Sequence, residues 1–113
     1  MKKDHPYDHL AAMIRAQKVE KKDFCINVHF VCVESKTSFK IVTCELGAGV
    51  TYACGTGTGA SVYCAYKLGL IDDKVDAQTR GGIMNVRVAK NKDGNDEIFI
   101  GGECEYVYTG IVK

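Results

Sequence analysis

The sequence predicts an α+β domain, a curved and mostly antiparallel sheet wrapped around one buried central helix. Three observations point there. From about Thr56 to Leu68 the chain is apolar or small nearly all round, with Lys67 its single charge, and a helix of that kind is buried on most sides. The segments on either side are β-branched and alternate between apolar and polar, as half-buried strands do. The breaks between them are short and either polar or glycine-containing, which suits hairpins.

Taken in order, Tyr7 to Lys22 reads as an amphipathic helix. Leu10, Met13, Ile14 and Gln17 fall near one stripe, Pro6 suits the start, and Lys18, Lys21 and Lys22 crowd the end that the macrodipole makes negative. Ile26 to Val33 is a strand, with Ile26, Val28, Phe30 and Cys32 on one face and Asn27 and His29 on the other. Glu34 to Thr37 is a polar turn. Phe39 to Glu45 returns as the second arm of a hairpin, with Phe39, Ile41, Thr43 and Glu45 sharing a face. Gly47 to Ala53 reads as loop, and after the central helix Gly69 is the stop. Val75 to Thr79 and Met84 to Ala89 are strands, with a turn or bulge at Gly81-Gly82. Asn91 to Asn95 is the strongest hairpin turn in the chain, and Glu97 to Ile100 and Cys104 to Tyr108 complete the sheet.

At 113 residues, 1–113 is expected to be a single domain, long enough for a core and too short for two. A net charge of +1, from 15 basic and 14 acidic side chains, gives no reason to expect nucleic acid or an anionic membrane surface as partner. No apolar run approaches the roughly 18 residues that cross a bilayer. Met1 to Pro6 has no apolar segment behind its lysines, so no secretory signal is expected and the chain is assigned to the cytoplasm. The cysteines are Cys25, Cys32, Cys44, Cys54, Cys64 and Cys104. They lie in apolar runs, without a Cys-x-x-Cys pair and without zinc-like spacing to His5, His9 or His29. The expectation is reduced thiols, mostly buried, with Cys64 in the core and no metal site.

The chemistry concentrates in Gly47-Ala48-Gly49-Val50-Thr51-Tyr52-Ala53-Cys54-Gly55-Thr56-Gly57. The thiol stands between a glycine-rich loop and a helix start, where about four N–H groups lack helical partners. Such a place binds anions and favours thiolates in general. Gly55, Thr56 and Gly57 lack bulk, so a carboxylate can approach their N–H groups closely, and the Thr56 hydroxyl adds a further bond. The Cys54 sulfur would then reach the carbon bearing that carboxylate and take its proton. The simpler alternative is a tight turn into a buried helix, with Cys54 packed like any core cysteine. Glycines at 47, 49, 55 and 57 exceed what a turn needs, which favours the chemical reading. Elsewhere plainer roles compete. His29 reads as a partly solvated strand residue, His5 and His9 as surface residues, and Arg80 as a surface residue or a contact for a partner or helix end. Glu45 either lines a cleft or ends an exposed strand, and Asn27 bonds either a ligand or nearby backbone.

The Gly47–Gly57 run resembles the second catalytic-cysteine motif of the diaminopimelate epimerase family. The resemblance continues through Leu68-Gly69-Leu70 and Arg80-Gly81-Gly82, and Asn27-Val28-His29-Phe30 is similar to the family's Asn-Val-x-Phe strand. It covers Ile26 to the end of the chain. The resemblance implies a cofactor-independent isomerase of lysine and diaminopimelate biosynthesis, built from two similar α/β halves with the substrate between them. One cysteine removes the α-proton and a second delivers a proton to the opposite face. By that resemblance Cys54 is one of the two acid/base thiols. Gly55 and Thr56 hold the reacting carboxylate, and Asn27 and Glu45 bind the rest of the amino acid.

Two departures qualify what the resemblance implies. Leu46 stands where the family has an arginine for the distal carboxylate, and Val50 replaces the usual acidic residue. Leucine cannot pair with a carboxylate. The Cys-Gly-Asn-Gly motif of the other thiol is absent from these residues, and one base on one face exchanges a proton without completing an inversion. The expectation is therefore the C-terminal half of such an epimerase, resembling that enzyme's C-terminal domain. It would be partnered by a complementary N-terminal half or a second copy of itself in a homo-oligomer. A non-catalytic carboxylate-binding module, an inactive fragment, or a related racemase with a less polar substrate are the alternatives.

Overall fold

The computed structural model describes residues 5–18 and 26–113. The elements are α1 (Pro6–Lys18), β1 (Val28–Ser35), β2 (Ser38–Glu45), β3 (Gly49–Thr51), α2 (Gly55–Lys67), β4 (Lys74–Thr79), β5 (Gly82–Lys90) and β6 (Asp96–Gly101). The class is α+β as the sequence predicts, with one open sheet in the order β1-β2-β4-β5-β6 and β3 added beside β2. Only β2 and β4 pair in parallel, and the crossover that parallel pairing requires contains α2. β2 is the pivot. β1 follows one of its edges along the whole length, while the other edge is shared between β4 at Ser38–Lys40 and β3 at Thr43–Glu45.

Alternation along the β1–β2 hairpin assigns its two faces to the two helices. Phe39 and Ile41 join Val62 and Ala65 of α2 and the inward residues of β4 and β5, Val75, Ala77, Val86 and Val88, in the main core. Val28 and Cys44 point the other way and pack on Ala11 of α1, flanked by Tyr7, Ile14, Phe30 and Val50. Burial of each Val, Ile or Phe among them is worth about 1.5–3 kcal/mol, so both helices are held by the same hairpin.

α1 turns Ile14 of the predicted stripe inward but not Leu10 or Met13. Ala11 is fully buried while Leu10 and Met13 are exposed. A small residue at the contact lets the helix axis come close to the sheet, and Tyr7 and Ile14 then flank it at helical spacing. The predicted extension over residues 19–22, like Cys25, lies outside the described residues.

α2 starts at Gly55 and stops as its sequence indicates. Gly69, at φ +74°, donates to the Tyr66 carbonyl while Leu70 donates to that of Ala65, the paired bonds of a Schellman cap. The Asn91–Asn95 turn also holds: the Asn91 side chain accepts the N–H groups of Asp93 and Asn95.

Three expectations are corrected. α2 is covered on its sheet side only, through Gly57, Thr58, Gly59, Val62 and Ala65, and Ala60 and Cys64 are exposed, so Cys64 is not a core residue. Of the described thiols, all free, Cys44 alone is buried, Cys54 is half-buried, and Cys32, Cys64 and Cys104 are exposed. Apolar neighbours in sequence do not bury a residue when they lie on an edge strand or an uncovered helix face. Finally, Cys104 to Tyr108 forms no strand; residues 102–113 have no regular structure and are exposed throughout. Among the described residues no helix is long and apolar enough to cross a membrane.

Candidate active site

The N-terminus of α2 is built by the Gly47–Gly57 run. Within it β3 pairs with the end of β2, Gly49 opposite Glu45 and Thr51 opposite Thr43, and this short strand delivers the chain to the helix start. Cys54 is the N-cap residue. Its backbone is extended (φ −139°, ψ 108°), and its carbonyl accepts the Thr58 N–H at 2.9 Å. Its side chain makes no capping bond, and the first turn carries no acidic residue. The thiol is half-buried and lies 3.7 Å from the Thr56 hydroxyl, within hydrogen-bonding range for sulfur. Cys54, Gly55 and Thr56 therefore form one local unit, with Met84 of β5 beside Gly55.

His29 of β1 supports this unit from below. Its ring lies so close to Gly57 that a side-chain carbon there would overlap the imidazole. Nδ1 is 2.9 Å from the hydroxyl of buried Thr43. Burial holds His29 below its ordinary value of 6.5, with the Glu45 charge pulling the other way. The sequence reading of His29, a partly solvated strand residue with a cleft-lining role as the alternative, does not include this contact. Two threonine hydroxyls near the same turn, Thr51 and Thr58, are buried without a protein partner.

Glu45 and Asn27 meet at the other end of the run. The Asn27 carbonyl oxygen accepts the Leu46 N–H at 2.9 Å and so fixes the turn leaving β2. Glu45 is half-buried and lines an open cleft of about 670 Å³ together with Asp8, Arg15, residues 47–50 and Arg80. Cys54 is not among the lining residues of that cleft. Arg15 is committed to structure, donating from Nε to the Ile26 carbonyl and from Nη2 to the Cys44 carbonyl at 2.8 and 2.7 Å. Arg80 is free of carboxylate partners among the described residues. Its guanidinium lies 5.4 Å from the Tyr52 ring centroid, and the neighbouring Gly81 N–H donates to the Tyr52 carbonyl at 2.9 Å. Arg80 is thus tied to the loop two residues ahead of Cys54. Among the described residues no group of His, Cys, Asp and Glu side chains is assembled for a metal ion.

Comparisons with known proteins agree with this architecture. A family model described as diaminopimelate epimerase matches residues 9–107. The diaminopimelate epimerase of Methanocaldococcus jannaschii is 46% identical over 83 residues, covering 74% of this chain and 26% of that protein. That of Methanococcus aeolicus is 42% identical over 85 residues, covering 75% and 27%. That of Bartonella henselae is 34% identical over 87 residues, covering 77% and 29%. The chain thus spans under a third of the length of these curated relatives. Among solved structures, a Bacillus anthracis phenazine biosynthesis protein of the PhzF family superposes with a TM-score of 0.57 over 80% of this chain and 30% of that one, at 22% identity. That likeness is one of fold. The match over residues 9–107, together with relatives of this identity, shows that the chain belongs to the diaminopimelate epimerase family.

Proposed function

We propose that the chain acts as the C-terminal half of a cofactor-independent amino-acid epimerase, with Cys54 as one of two proton-transfer thiols. The observation that carries this reading is the free, half-buried Cys54 thiol at a helix N-cap whose side chain is not used for capping. The α-carboxylate of an amino acid would sit on the first-turn N–H groups of Gly55 and Thr56, where the helix dipole favours negative charge. The Cys54 thiolate takes the α-proton, and the charge released into the carboxylate develops against those same donors. A thiol on the opposite face returns a proton to complete the inversion. That thiol comes from a complementary half or a second copy of this chain. The setting is the cytoplasm, where thiols stay reduced.

Asn27 and Glu45 bind the rest of the substrate in this reading. The Asn27 carbonyl oxygen is used by Leu46, which leaves its amide N–H groups as donors, while Glu45 accepts from the substrate ammonium. Arg80 supplies the cation that Leu46 does not. It lines the same cleft as Glu45 and has no carboxylate partner among the described residues, so a second carboxylate of a diaminopimelate-like substrate finds a guanidinium there.

The test is α-proton exchange of diaminopimelate in D₂O, followed by proton NMR, for the chain alone and with a complementary half. Exchange is expected and is lost in Cys54→Ala. Exchange that survives Cys54→Ala refutes the role of this thiol. Exchange of other amino acids but not diaminopimelate would favour a racemase with a less polar substrate, which exposed Leu46 suits. Carboxylate binding without any exchange would favour the non-catalytic module.

A further inference from the structure

We propose that Tyr52 is the positioning residue through which the site selects an amino acid with a second carboxylate: its ring holds the Arg80 guanidinium in place and leaves the donors of that guanidinium free. This role rests on the reading of Arg80 as the group that meets a second carboxylate, and it extends that reading to the loop of Cys54.

Burial does not account for Tyr52. It is 72% exposed, two residues ahead of Cys54. Its ring stacks on no other ring among the described residues, and the cation that lies over it is Arg80, at 5.4 Å from the centroid. That separation is within the roughly 6 Å over which a cation is attracted to a ring face.

The turn that carries Arg80 is fixed by its backbone. The Thr79 hydroxyl donates to the Gly82 carbonyl at 2.7 Å and accepts the Gly81 N–H at 3.2 Å. The same N–H donates to the Tyr52 carbonyl at 2.9 Å. A side-chain carbon at Gly81 would stand 3.2 Å from that of Tyr52, so the close approach of the two loops depends on glycine. These bonds bring Arg80 to the cleft without ordering its side chain, which has many rotamers of its own. The Tyr52 ring supplies that last restriction.

A ring suits the task better than an acid. A carboxylate partner would cancel the charge of Arg80 and occupy its fork of N–H donors. A tyrosine ring carries no opposite charge and accepts no in-plane hydrogen bond, so the fork stays open to the two oxygens of a ligand carboxylate. The acids that line the same cleft leave Arg80 free as well. Neither Asp8 nor Glu45 forms an ion pair with it among the described residues, and Asp8 accepts the His5 N–H at 3.1 Å. Their charges favour a ligand that brings an ammonium along with its carboxylate. Lysine is diaminopimelate without the second carboxylate, so Tyr52 should matter to the binding of diaminopimelate and not to that of lysine.

NMR titration of the nitrogen-labelled chain with diaminopimelate, and separately with lysine, tests this. The parent is expected to bind diaminopimelate more tightly, and Arg80→Ala to abolish the preference. Tyr52→Leu should reduce the preference about two- to fivefold, the ordinary worth of an exposed cation–ring contact, while Tyr52→Phe keeps it. In the Arg80→Ala background Tyr52→Leu should change nothing further. In the free chain the Arg80 Nε–H proton should move downfield in Tyr52→Leu, as the ring current is lost, and stay in place in Tyr52→Phe. An Arg80 signal that does not move in Tyr52→Leu overturns the contact. A preference lost in Arg80→Ala but intact in Tyr52→Leu overturns the role of Tyr52 and leaves that of Arg80 standing. A parent without a preference, or one that binds neither ligand, overturns both. None of these readouts involves α-proton exchange, so the role of Cys54 is decided separately.

Discussion

Gly57→Ala tests the contact that supports the Cys54 turn. In an ordinary helix this change is favourable by about 1 kcal/mol, because glycine is the poorer helix former. Here the new carbon would enter the space of the His29 ring, which cannot swing away freely because it is half-buried and bonded to Thr43. Overpacking of that kind costs about 1–3 kcal/mol. The net expectation is a destabilisation of up to about 2 kcal/mol, opposite in sign to the propensity effect. His29→Ala alone is also destabilising, by about 1–3 kcal/mol, since it strands the buried Thr43 hydroxyl. In that background the ring is gone, and Gly57→Ala should then stabilise by about 1 kcal/mol. The double-mutant cycle should therefore close with a coupling of about 1–3 kcal/mol and a reversal of sign. Urea unfolding followed by circular dichroism, at one protein concentration and with m-values compared, measures all four corners. An additive cycle, or a Gly57→Ala variant more stable than the parent, would refute the packing of His29 on α2.

Three further outcomes are expected. Thr58→Val removes a buried hydroxyl that has no protein partner and keeps the side-chain shape, so it should be neutral or stabilise by about 1 kcal/mol; a clear loss in thermal unfolding would reveal a partner for that oxygen. His29 is held below 6.5 by burial, so its folded form prefers to be neutral. The stability it contributes is fully present above pH 6.5 and falls as pH drops toward the folded value, and His29→Gln should remove that slope from a pH series of urea midpoints. Asp96, 11% exposed at the start of β6, receives Lys90 at 2.7 Å, Lys67 at 2.9 Å and the Tyr63 hydroxyl at 2.8 Å. Lys90 first, then Lys67 and Tyr63, hold its carboxyl well below the usual range. Its contribution is present above the unfolded value of about 4 and is lost as pH falls below it, so Asp96→Asn should flatten the acid limb of the stability curve.

The order and type of the elements were legible because alternation and apolar content are local signals. What the sequence misjudged depended on neighbours. Leu10 and Met13 are the largest apolar residues of α1, yet the sheet took Ala11, where the helix can approach closely and Arg15 reaches the Ile26 and Cys44 carbonyls. The three-residue β3 has too little pattern to announce itself and exists because β2 offers it half an edge. Cys64 sits in an apolar run that reads as core, but burial needed a strand on that side of α2, and none of the described strands covers it. Cys104 to Tyr108 has strand-forming residues as well, but it pairs with none of the described strands.

The candidate site divides in the same way. Its reacting end is contiguous in sequence, and Cys54, Gly55 and Thr56 could be grouped from spacing because a helix start has a fixed local geometry. Its binding end is assembled across the fold. Leu46 leaves the position after Glu45 without a cation for a distal carboxylate. In the structure the β4–β5 turn carries Arg80 onto Tyr52 and into the cleft with Glu45. The Arg80-Gly81-Gly82 run was visible all along, but its use depended on the Gly81–Tyr52 bond that folds that turn against the Cys54 loop. Loss of a charge at one position is therefore not loss of the charge from the cleft. In the proposed reading, the guanidinium that meets a second carboxylate comes from the β4–β5 turn at Arg80 and not from position 46, and Arg80→Ala is expected to weaken exchange of diaminopimelate more than that of an amino acid with one carboxylate.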